Sequence, residues 1–103
     1  MLAKLLNAGR VLTHPFVIGE LALGGMRQRA TVLDALANLP RAELATDAEV
    51  LGFINREALF GRGIRYVDVH LLASARLTAG AELWTRDNRL RSVAEELGLG
   101  MAS

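Results

Sequence analysis

Residues 61–90 read GRGIRYVDVHLLASARLTAGAELWTRDNRL, and the succession of elements in this stretch decides the fold. Gly61-Arg62-Gly63 predicts a mobile loop. The leucine- and alanine-rich run from Val69 to Ala79 predicts a helix that can pack closely on a sheet, and Gly80 ends it. Glu82 to Thr85 (ELWT) is the clearest strand of the chain, and Asn88 to Leu97 predicts the next helix. Strands alternating with helices argue for a layered α/β domain with a mostly parallel sheet, whose strand C-termini share one edge.

The upstream half fits the same scheme. Leu2, Leu5 and Leu6 have the spacing of a helix end cut by Gly9, and Arg10 to Thr13 (RVLT) is a short strand candidate. Pro15 suits a first helical turn capped by Thr13 or His14, and the helix PFVIGELAL stops at Gly24-Gly25. Gln28 to Leu39 predicts a second helix ended by Pro40, and Ala42 to Ala45 a weak strand. Thr46 with Glu49 forms a capping box ahead of a helix carrying Val50, Phe53, Ile54 and Leu59, and a last short strand is expected around Leu99 to Ala102. Thr13 and Thr85 then end strands at the same edge.

At 103 residues the chain is a single domain spanning 1–103. A hydrophobic fraction of 51% exceeds what so small a domain covers by itself, which predicts a homodimer or larger assembly, or a protein partner. No apolar run is long enough to span a bilayer and no secretory cleavage pattern opens the chain, so a cytoplasmic location is expected. The absence of cysteine excludes disulfides and thiolate chemistry and leaves oxygen or imidazole as metal ligands. A net charge of +1 excludes a uniformly basic nucleic-acid binder, but residues 61–91 hold six arginines against three acids. That local excess suits a phosphodiester substrate, and it equally describes a solvated helix face.

Asp68 and Asp87 occupy matching junctions where a loop or strand hands over to a helix. Either aspartate is also explained as an acid stabilising a helix start. Glu20 has no such explanation, because it lies mid-helix beside Phe16 and Leu23. Three acids converging on one edge would repel one another unless a cation neutralised them, and Mg²⁺ or Mn²⁺ suits an all-oxygen set. His70, two residues after Asp68, points away from it on a helix and reads as a packing residue, while His14 reads as a cap or support for the Glu20 helix. No paired-histidine zinc motif, nucleophile elbow or phosphate-binding glycine fingerprint is present, and Trp84 reads as core.

In the order HPFVIGELALG, GRGIRYVDVHLLASA and LWTRDNRL, the chain resembles PIN-domain ribonucleases, specifically VapC-type toxins of bacterial toxin–antitoxin pairs. The resemblance covers essentially the whole sequence. It implies a three-layer α/β/α fold with a mostly parallel sheet, and an acidic site that uses Mg²⁺ or Mn²⁺ to cleave RNA. By matching motifs, Glu20, Asp68 and Asp87 are the implied metal ligands and Thr85 the supporting hydroxyl, with Arg62, Arg65, Arg86 and Arg89 as candidate RNA contacts. It also implies a cognate antitoxin partner.

One departure stands out. Family members begin with a central strand that carries a further acidic ligand, and the resemblance implies that both are missing from residues 1–103. A shortened or mis-started toxin is the favoured explanation, ahead of a sheet completed by a partner or an inactive remnant. The chain as given is therefore expected to cleave RNA weakly or not at all. The alternative function is a non-catalytic PIN remnant that binds an antitoxin or mediates dimerisation.

Overall fold

The computed structural model describes residues 3–7, 10–25 and 27–100. Its elements are β1 (Ala3–Asn7), β2 (Arg10–Leu12), α1 (Pro15–Leu23), α2 (Arg29–Ala37), α3 (Asp47–Arg56), α4 (Tyr66–Leu77), β3 (Ala81–Thr85) and α5 (Asn88–Glu96). The sheet has the order β2-β1-β3, and β1 is antiparallel to both neighbours.

This corrects two expectations. Residues 3–7 are a strand and not a helix end, with Leu2 outside the described residues, and the paired strands are antiparallel where a mostly parallel sheet was expected. The physical reason is a slot. β2 and β3 run the same way with room for one strand between them, and unpaired backbone on both inner edges needs partners. AKLLN supplies them, pairing Leu5 with Leu12 on one side and with Leu83 on the other. Only two residues separate Asn7 from Arg10, and a link that short joins antiparallel strands, because a parallel pair needs a long crossover. Asn7 fastens the far end through an Nδ2 donor to the Ala79 carbonyl at 2.6 Å.

Parallel pairing survives at two isolated bridges, Thr13 with Arg41 and Leu83 with Gly100. The strand expected over 99–102 is thus reduced to a bridge at Gly100, with residues 101–103 outside the described ones, while none of 42–45 is a strand and only Ala42 N bonds the Thr13 carbonyl, at 3.0 Å.

The alternation of the strands sorts the two faces of the sheet. Leu5, Leu12 and Leu83 join one core with Val50, Phe53, Val69, Leu71, Leu72, Leu90 and Val93. The small Ala73, Ser74 and Ala75 of α4 are buried as well, which lets that helix pack closely, and the expected capping box opens α3. Thr46 Oγ1 accepts from Glu49 N at 3.1 Å while Glu49 Oε1 accepts from Thr46 N at 2.9 Å. Replacing Thr46 by alanine is expected to cost about 1 kcal/mol, read as a lower urea midpoint with an unchanged m-value.

The other face is only partly covered. Neither α1 nor α2 buries a residue fully, and a groove runs between Val17, Ile18, Leu21 and Leu36 of these helices and Lys4, Val11 and Trp84 of the sheet. Trp84 is therefore a half-buried groove residue and not core, with Lys4 Nζ 5.0 Å and the Arg86 guanidinium 5.8 Å from its ring. Two layers are well formed, and the third, α1 with α2, leaves apolar surface open.

Candidate functional site

Thr13 and Thr85 end their strands at the same edge, as the strand directions require, and α1 and α5 begin just beyond them. His14 is the N-cap of α1: its Nδ1 accepts from Phe16 N at 3.1 Å, and its Nε2 lies 3.1 Å from Ser74 Oγ. Since Nδ1 is an acceptor, the ring is neutral with its proton on Nε2, donated to Ser74. Burial first, and then the nearby His70 ring, push the His14 pKa down from 6.5 to about 4. His14 thus caps α1, and His70 is buried against the rings of Phe16 and Tyr66.

Asp68 is the third residue of α4 and only 6% exposed. Its Oδ2 accepts from Arg65 N at 3.1 Å and lies 4.0 Å from Arg65 Nε. Asp87 caps α5, with Oδ1 accepting from Arg89 N at 2.9 Å and Leu90 N at 3.1 Å. The Thr85 hydroxyl accepts from Asp87 N at 3.1 Å, and Arg91 donates to the Thr85 carbonyl at 3.2 Å, so Thr85 and Asp87 form one hydrogen-bonded corner. Glu20 is exposed on α1 and lines a shallow cleft with Pro15, Phe16, Gly19, Leu23, Tyr66 and Val67.

The cleft brings Glu20 to the start of α4, the turn that carries Asp68. The expected convergence of all three acids is not seen: among the described residues no group of three His, Asp or Glu side chains is arranged to hold a metal. Each aspartate is instead turned back onto its own helix start, Asp68 toward Arg65 N and Asp87 toward Arg89 N and Leu90 N. As placed, the acids do not fit a bound divalent cation.

The arginines divide. Arg62 is paired with Glu96 at 2.8 Å, both side chains remaining partly exposed. Arg89 packs over Gly63, whose φ of 77° suits glycine and where an added Cβ would lie 2.7 Å from the guanidinium. Arg65 and Arg86 are exposed. Sequence reasoning misses Tyr66 altogether. The signal that marks it is an aromatic ring two residues ahead of a candidate ligand, and its hydroxyl donates to Asp47 Oδ1 at 3.0 Å.

A strand edge with helix starts beyond it and acids at those starts defines a class. The PIN domain family matches residues 2–96, and this chain belongs to that family. Within the family the likeness is to the VapC type. Ribonuclease VapC32 of Mycobacterium tuberculosis, in strains CDC 1551 / Oshkosh and ATCC 25618 / H37Rv, is 48% identical over 101 residues, which is 98% of this chain and 82% of the relative. No solved structure matches the chain at comparable stringency.

Proposed function

We propose that this chain, a single PIN domain, is the toxin component of a bacterial toxin–antitoxin pair and an endoribonuclease dependent on Mg²⁺ or Mn²⁺. The observation that carries the reading is 48% identity across 98% of the chain with a protein named as a ribonuclease. Its substrate is RNA, its protein partner a cognate antitoxin, its state a homodimer or larger, and its location the cytoplasm. No helix among the described residues is long and apolar enough to cross a membrane.

Asp68, Glu20 and Asp87 are the proposed ligands and Thr85 their support, with Arg62, Arg65, Arg86 and Arg89 as candidates for RNA contact. The choice of Mg²⁺ or Mn²⁺ rests on the hard oxygen chemistry of these donors. Because no three acids are arranged to hold a metal among the described residues, the chain by itself is proposed to be weakly active or inactive.

Incubating the protein with RNA in Mg²⁺ or Mn²⁺, with and without EDTA, tests this. Weak cleavage that EDTA removes, and that falls to the EDTA background in Asp68→Asn, is the expected result. Vigorous cleavage indifferent to EDTA or to Asp68→Asn would sink the reading. The open groove between α1, α2 and the sheet supports a second reading, an antitoxin-binding module without catalysis. Tight binding of the cognate antitoxin by a chain with no cleavage in any metal would favour it.

A further inference from the structure

The cleft beside Glu20 has aromatic walls. Phe16 of α1 and Tyr66 of α4 both pack edge-on against the buried His70 ring, with centroids 4.6 Å and 4.7 Å away and planes inclined by 63° and 83°. His70 is thus a pedestal that holds the two rings in place, and the Asp47 carboxylate fixes the outer edge of Tyr66. Despite this support the rings remain 37% and 44% exposed.

The floor between them is Gly19. Glycine is a poor helix former, yet Gly19 sits in the middle of α1, and a Cβ added there would meet nothing within 4 Å. No packing demand explains the missing side chain; its effect is to leave the cleft open. The charged group lining the cleft is the Glu20 carboxylate, which repels a phosphate, whereas flat aromatic walls suit an uncharged planar ring. The cleft also ends at Tyr66 and Val67, immediately before Asp68, so its occupant lies next to whatever the acids engage.

We propose that Phe16 and Tyr66, with Gly19 as an open floor, form a stacking subsite for one unpaired base of single-stranded RNA. This rests on the ribonuclease reading and extends it from the phosphate to the base. It assigns Phe16 and Tyr66 to substrate binding and leaves the cleavage chemistry to the acids.

The test uses the full chain in EDTA, to prevent cleavage, with a short oligouridine carrying one central 2-aminopurine. Wild-type protein should bind it and quench the 2-aminopurine fluorescence by stacking. Tyr66→Leu, Phe16→Leu and Gly19→Leu should each weaken binding roughly 5- to 100-fold and remove the quench, while Tyr66→Phe retains both. Gly19→Leu should melt no lower than wild type, since it adds helix propensity in open space, so its loss of binding is not a loss of fold. Binding without quenching, or unchanged affinity and quenching in Tyr66→Leu and Gly19→Leu, would overturn the subsite and spare the ribonuclease reading. No binding of any oligonucleotide by wild-type protein would bring down both.

Discussion

Replacing Leu5 by alanine is expected to lower stability by about 2–5 kcal/mol, a large share of what a domain of this size possesses. Leu5 is 1% exposed and is the middle of the buried row Leu12, Leu5, Leu83, so truncation leaves a cavity that two neighbouring strands border. Lys4→Ala, one residue away on the opposite face, is expected to change stability by less than about 1 kcal/mol, since it loses only a cation–π contact with Trp84. The contrast is diagnostic because side chains alternate along a strand and do not along a helix. Urea denaturation of both variants measures it. Equal effects at positions 4 and 5 would remove residues 3–7 from the central slot.

Acid should weaken the fold through His14. In the unfolded chain this histidine titrates near 6.5, whereas in the folded protein burial and the His70 ring hold it at about 4. Between those values the unfolded state binds a proton that the folded state does not, so stability is full above about pH 6.5 and falls as the pH drops toward 4. The whole window is worth up to about 3 kcal/mol. Protonating Nδ1 would also turn the acceptor for Phe16 N into a donor and uncap α1. His14→Asn, whose side-chain oxygen can still cap the helix, should flatten the dependence between pH 7 and 4.5 in urea titrations. A wild-type protein equally stable at both pH values would refute the buried neutral histidine.

The two expectations show where the sequence is sufficient. Helix α3 is legible because Thr46 and Glu49 satisfy each other's backbone donors locally, and α1 because Pro15 follows a residue able to cap it. Strand β3 and the two helices around it follow from apolar period and from Gly80, whose φ of 72° ends the turn after α4. The identity of β1 is not legible. In a run as short as AKLLN, leucines at 2, 5 and 6 fit a helical face as well as a strand, and nothing local decides between them.

The site divides in the same way. Asp68 and Asp87 stand at helix starts because each accepts local backbone N–H groups, and that much a single sequence determines. Family membership is also carried by the sequence, through ordered motifs spread over residues 14–90. Tertiary structure alone decided that residues 3–7 fill the centre of the sheet in the antiparallel sense, because two unpaired edges offered hydrogen-bond partners that no local signal announces. The acids stand apart, since the distance between side chains on different helices is set by the strands between them and not by their spacing in the chain.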